Sequence, residues 1–133
     1  MNDHRHAPEP ARHGGMRWIW ALVFLCAFTL GHANDRAPLE NQKIDYLISA
    51  IERLNDAKFV RNGTGYDAKA AADHLRRKLK YAGSRVKSAD DFIRYCASTS
   101  SVSGKPYEIR FADGRVETSE AFLRQKLAEF ATQ

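Results

Sequence analysis

One stretch of the chain decides how the rest can be read. Residues 18–30 (WIWALVFLCAFTL) form an uninterrupted uncharged run, with Arg17 immediately before it. Gly31-His32-Ala33 follows, which sets small residues at both ends of a small-x-small exit ending at Ala33. A basic flank, an apolar core of this length and such an exit are the pattern of a secretory signal peptide. A membrane-spanning helix needs about 20 apolar residues, and polar positions follow this shorter run at once. The expectation is cleavage between Ala33 and Asn34 and delivery to the periplasm or the exterior. An uncleaved N-terminal membrane anchor is the alternative. Cys26 follows Leu25 inside the apolar run, which is not the small-residue setting of a lipid-acceptor cysteine. Met16-Arg17 would make a compact start of its own, so residues 1–15 read as an extension or an upstream start.

Removing residues 1–33 changes the arithmetic of the whole chain. The 133 residues become a mature domain of 100, residues 34–133, and the formal charge falls from +5 to +4. Five histidines become His74 alone, and two cysteines become Cys96 alone. A single cysteine closes no internal disulfide, so the exported domain must rest on its apolar core. A chain of about 100 residues can build one. One histidine and one thiol also leave no zinc set, and no metal or other cofactor is expected.

The mature part alternates clear periodic segments with turn signals. Residues 39 to about 57 read as a helix, with Ile44, Leu47, Ile48, Ile51 and Leu54 on one stripe. Phe59-Val60-Arg61 is extended, and Asn62-Gly63 is a strong turn. Asp67 caps a second helix that carries Ala72, Leu75, Leu79 and Ala82 inward and stops at Gly83. Ser88 with Asp91 resembles a capping box that opens a third helix, through about Ser98. Its buried face is Phe92, Ile93, Cys96 and Ala97. Tyr107, Ile109 and Phe111 alternate with charged residues as a half-buried strand. Asp113-Gly114 turns the chain into a short partner strand near Val116. Thr118 or Ser119 then caps a last helix with Phe122, Leu123, Leu127 and Phe130 inward. The expected fold is α+β: a small antiparallel sheet packed by about four helices. That sheet comprises the hairpin around Asp113-Gly114 and a short strand near Phe59. A turn, strand and helix recur after each turn glycine, with LRRKL at residues 75–79 and LRQKL at residues 123–127. Amphipathic helices after hairpins produce such echoes by chance, so no repeat is inferred.

Several short segments bear a resemblance. Residues 59–63 (FVRNG) lead to Tyr66-Asp67, residues 74–78 read HLRRK, and Asp91-Phe92-Ile93 follows. Residues 103–107 (SGKPY) then lead into Ile109-Arg110. Together, across about residues 44–130, they resemble the YfeK-like family of small exported bacterial proteins, whose domain has no assigned activity. Gly65 stands where that pattern would carry an acidic residue. The resemblance implies an exported single domain and brings no catalytic residues with it.

The residues must therefore be weighed on their own chemistry. Ser101, Ser103, Gly104 and Lys105, followed by Tyr107, could form a small anion-binding loop with N–H groups exposed at the glycine. Lys105 is followed by Pro106 and Thr99 replaces the first glycine, so this is no nucleotide-binding P-loop. A lysine base acting on Ser101 or Ser103 would need burial that a polar loop does not promise. His74 and Asp73 are adjacent on a helix and point about 100° apart, so they form no acid–base pair and His74 reads as a surface residue. Arg76, Arg77, Lys78 and Lys80 lie opposite the apolar stripe of their helix. They are a solvated face that could also meet anionic envelope material. Cys96 reads as a buried, inert thiol. No aromatic platform interleaves with the basic residues, and nucleic acid is not an expected partner.

The functional expectation is binding or structural interaction in the cell envelope. The surface would be built from Ser101, Ser103, Gly104, Lys105, Tyr107, Arg76, Arg77 and Lys80, against an anionic envelope component or a periplasmic protein. The alternatives are a hydrolase acting on an envelope polymer through the Ser/Lys loop, and a protein inhibitor or assembly accessory. The mature chain carries no expected transmembrane segment.

Overall fold

Pro38 opens the first helix at a position where its missing N–H leaves no bond unmade. The computed structural model describes residues 36–132, and in it α1 runs Pro38–Glu52. Ile44, Leu47, Ile48 and Ile51 are buried along one side, as the periodicity requires. The helix stops about five residues before the expected end. Leu54 N–H donates to Ile51 O and Ala57 N–H to Leu54 O, so residues 53–57 fold into tight turns. Leu54 still packs on the core from there. Its place on the stripe prolonged the apparent helix.

The next segment is a hairpin, β1 (Lys58–Arg61) and β2 (Thr64–Tyr66). Asn62 and Gly63 have φ of 52° and 82°, the pair of positive values that a two-residue type I′ turn requires. α2 follows at Ala68–Ala82, with Asp67 Oδ1 accepting from Ala70 N–H at 2.7 Å. α3 (Ala89–Phe92) is capped by Ser88, whose Oγ accepts from Asp91 N–H at 3.1 Å. The Asp91 carboxylate reaches back to Lys87 N–H at 3.0 Å. The expected third helix does continue, but residues 93–97 are wound as a π-helical segment. Ser98 Oγ donates to Ile93 O at 2.7 Å and so satisfies a carbonyl at the wide turn. β3 (Glu108–Arg110), β4 (Val116–Thr118) and α4 (Ser119–Phe130) complete the order. Thr118 caps α4 through Ala121 N–H.

The fold is α+β, with four helices and a four-stranded antiparallel sheet among the described residues. The strand order is β2-β1-β3-β4. β2 enlarges the expected sheet. Three residues with a central glycine carry no readable alternation, and the strand exists because the turn folds it onto β1. Register puts Phe59 opposite both Tyr66 and Ile109. With side chains alternating between faces, Arg61, Phe59, Tyr66 and Ile109 share the face under the helices. Lys58, Gly65, Glu108 and Arg110 lie on the other. The core between helices and sheet holds Phe92, Ile44, Leu47, Ile51, Ile93, Ile109 and Leu123, all fully buried. Each contributes roughly 1.5–3 kcal/mol by leaving water. Arg36 is buried too, donating from Nε to Val86 O at 2.9 Å and from Nη1 to Asn41 Oδ1 at 2.8 Å. No described helix is long and apolar enough to cross a membrane.

Candidate functional site

Packing α2 across the first hairpin leaves a cavity of about 270 Å³. Its walls are apolar where Ile51, Phe59, Ala71 and Leu75 meet, and its polar lining comes from Arg61, Tyr66, Asp73, His74, Arg77, Tyr107 and Ser119. Four parts of the chain supply these groups, Ser119 coming from the first residue of α4. Arg61 and Tyr66 come from the sheet face under the helices, His74 from the inner side of α2, and Tyr107 from the residue preceding β3.

His74 is half-buried and lies at the centre of a bonded chain. Arg61 Nη1 is 3.0 Å from its Nδ1 and 3.2 Å from its Nε2. Tyr107 Oη is 3.2 Å from Nε2. Lys78 Nζ is 3.3 Å from Tyr107 Oη and donates to Thr99 O at 2.9 Å. Arg61 Nη2 donates to Tyr66 Oη at 3.2 Å. Burial first, then the charges of Arg61, Lys78 and Arg77, push the His74 pKa down to about 4. The imidazole is therefore neutral at physiological pH.

Donor and acceptor roles follow from these contacts. Arg61 and Lys78 can only donate, so the neutral imidazole accepts from Arg61 and Tyr107 Oη accepts from Lys78. One hydrogen joins Tyr107 Oη and His74 Nε2, given by the hydroxyl or by the ring according to the tautomer. Tyr66 Oη accepts from Arg61, and its own hydrogen has no acceptor among the described residues. The cluster has donors in excess and few free acceptors. Its charge is uncompensated as well: among the described residues Arg61, Arg77 and Lys78 form no ion pair. Arg76, one helical position away from Arg77, pairs with Glu52 at 2.6 Å and with Asp73 at 3.0 Å.

This geometry redistributes the residues expected from sequence. Tyr107 is buried and Arg77 lines the cavity. Arg76 is engaged in its ion pairs, and Lys80 is exposed outside the lining. Ser101, Ser103, Gly104 and Lys105 are exposed on the connection before β3. The N–H groups of that loop turn inward. Gly104 N–H donates to Ser100 O, Ser100 N–H to Lys105 O, and Lys105 N–H to Ser103 Oγ. Val102 and Ser103 N–H share Ser100 Oγ. Gly104, at φ 69°, closes this small knot instead of exposing a donor. Asn62 fastens it to the first hairpin, donating to Ser100 Oγ at 3.2 Å and accepting from Ser103 Oγ. Lys105 is exposed, so it lacks the burial that a lysine base needs.

His74 is the main departure from the sequence reading. It was expected on the surface, and the adjacent Asp73 does turn away, to Lys69 and Arg76. The partners of His74 come instead from Arg61 and Tyr107, distant in sequence. A signal for this site was nevertheless present. Arg61, Tyr66, His74, Lys78 and Tyr107 all fall within the short segments that carry the family resemblance. Gly65, where the pattern departs, lies on the opposite face of the sheet. Cys96 is fully buried, and burial pushes its thiol pKa up, in line with an inert side chain. No group of three or more His, Cys, Asp or Glu among the described residues could hold a metal ion.

Comparison with known proteins agrees with the motif reading. A family model described as a family of unknown function, DUF5329, matches residues 38–131. The uncharacterized protein YfeK of Salmonella typhimurium is 37% identical over 89 residues, covering 67% of this chain and 73% of that protein. No solved structure was found to match.

Proposed function

The chain belongs to the DUF5329 family, whose function is unknown, and we propose that it is a small binding protein of the bacterial cell envelope. It takes a low-molecular-weight, acceptor-bearing ligand into the cavity between α2 and the β1–β2 hairpin. The observation that carries this reading is the cavity itself. Apolar walls with a few convergent polar groups are the ordinary form of a small-molecule site. Here Arg61 and Arg77 are cations that form no ion pair among the described residues, and Arg61 and Tyr66 keep hydrogens to donate. The earlier expectation of an anionic envelope partner is kept and moved inward, from the exposed serine-lysine loop to Arg61, Tyr66, His74, Arg77 and Tyr107.

Export is part of the proposal and rests on residues 18–30 and the exit at Ala33, which lie outside the described residues. Fractionation of cells expressing the full chain tests it. The expected product begins at Asn34 and is released with the periplasm; a chain that keeps residues 1–33 in the cytoplasm would overturn that part. Binding is tested by thermal-shift screening of the full chain against small anions and their neutral analogues. Anions are expected to raise the melting temperature, and Arg61→Gln to remove the response. An equal response to neutral analogues, or one that survives Arg61→Gln, would overturn the site assignment.

A further inference from the structure

Granting that the cavity is a binding site, the geometry points to its occupant: we infer an amphiphilic monocarboxylate. Its carboxylate meets Arg61 and Tyr66, and its apolar body lies against Phe59, Ala71 and Leu75.

Three observations narrow the class. The first is the count of donors. Arg61 has N–H groups beyond the two it spends on His74 and Tyr66, and the Tyr66 hydroxyl has one hydrogen to give. A carboxylate brings two oxygens and no hydrogen, and a planar guanidinium suits it. A hydroxyl or amide would offer donors of its own to a site that already has too many.

The second is charge. His74 is neutral, so Arg61 and Arg77 are the cations on the lining, and Asp73 lies on the same lining. An anion suits this lining, and Asp73, although it turns to Lys69 and Arg76, leaves a carboxylate nearby that disfavours a second negative charge. The third is size and polarity. At about 270 Å³ the cavity sits just under the range for drug-sized ligands, roughly 300–1,000 Å³. A short apolar chain or a single ring fills it, and a sugar chain or nucleotide does not. The apolar walls strengthen the head-group bonds by keeping water from them.

Isothermal titration of the full chain with hexanoate, hexanol and hexyl phosphate tests the inference. Hexanoate is expected to bind at least about tenfold tighter than either of the others, the factor that one charge-assisted hydrogen bond provides. Arg61→Gln should bring hexanoate down to the level of hexanol. Tyr66→Phe, which removes only a hydroxyl, should weaken hexanoate and leave hexanol unchanged, and it keeps the test decisive if the arginine variant fails to fold. Ala71→Phe fills the cavity and should abolish binding of any occupant. If hexanol matches hexanoate and Ala71→Phe abolishes both, the cavity reading survives and the carboxylate inference falls. Tighter binding of hexyl phosphate overturns it likewise. If none of the three binds, or if binding survives Ala71→Phe, the inference and the cavity reading fall together.

Discussion

His74 shows how one side chain can carry a site's character without holding charge. Half-buried and flanked by Arg61 and Lys78, it is neutral at physiological pH, and protonation would turn the ring's lone pair into a donor beside a guanidinium. Stability should follow. The folded pKa, about 4, lies below the usual value near 6.5, so the unfolded chain binds more protons between those limits. Stability is full above about pH 6.5 and declines as the pH falls toward 4. The carboxylates of Glu40, Glu52 and Asp73, whose pKa values are held down by hydrogen bonds from Lys43, Arg76 and Lys69 respectively, add their own loss at the acid end. Thermal melts of wild type and His74→Gln should therefore diverge in slope between about pH 6.5 and 4.5, with the variant flatter. Parallel curves would show that His74 titrates normally. At this scale the sequence was legible for Asp73, because helical geometry is local. It was not for His74, whose partners Arg61 and Tyr107 arrive through the hairpin and the approach to β3.

Caps and turns were read most faithfully, since their chemistry lies within three or four residues. Asp67, Ser88 and Thr118 each accept the expected backbone N–H, and Asn62-Gly63 forms the expected turn. Gly63 allows a clean test. A Cβ there would meet nothing within 4 Å, so Gly63→Ala costs only the strain of its φ of 82°. That is about 1–2 kcal/mol, or a fall in melting temperature of roughly 4–8 °C for each kcal/mol in a domain of this size. Gly65 behaves differently. Its φ is not positive, and a Cβ would sit at an ordinary 4.0 Å from Lys58 Cβ, on the face of the sheet away from His74. Gly65→Glu, which restores an acidic residue, is expected to hold or raise the melting temperature and to leave ligand binding unchanged. The elements that escaped sequence reading are those set by longer range. β2 needs its neighbour to exist, and the helix after Ser88 widens into a π segment where Ser98 can reach back to Ile93.

Across the whole molecule, the echo noticed in the sequence acquires a topological counterpart. β1, β2 and α2 form a hairpin followed by a capped helix, and β3, β4 and α4 form another. The first strands of the two pair at the centre, and the second strands take the edges. The two halves differ in what they place between hairpin and helix. In the first, Arg61, Tyr66 and His74 make a polar corner. In the second, Phe111 and Phe122 are 6.3 Å apart, and the Arg115 guanidinium lies 4.1 Å from the Phe111 ring. One half of a twofold plan is thus packed with aromatic side chains and the other keeps a cavity. The sequence showed the second hairpin and both capped helices but not β2, and no repeat was inferred from it. It could not reveal which half stays open, because that depends on side chains from both halves meeting.

The central pairing also sets an order of events. Lys58 through Val60 pair with Glu108 through Arg110, partners about fifty positions apart, whereas each hairpin closes over a few residues. Hairpins and helices form locally within about 1–10 μs. Joining β1 to β3 must enclose α2 and α3 and carries the larger loop-closure entropy. The cavity straddles this join, with Tyr107 on one side of it and Arg61, Tyr66 and His74 on the other. A ligand at a hundredfold excess over its Kd should therefore add about 2.7 kcal/mol to global unfolding, measurable as a shifted denaturant midpoint with an unchanged slope. No partly folded chain would present the pocket, so the protein would engage its ligand only after the last seam of its fold has closed.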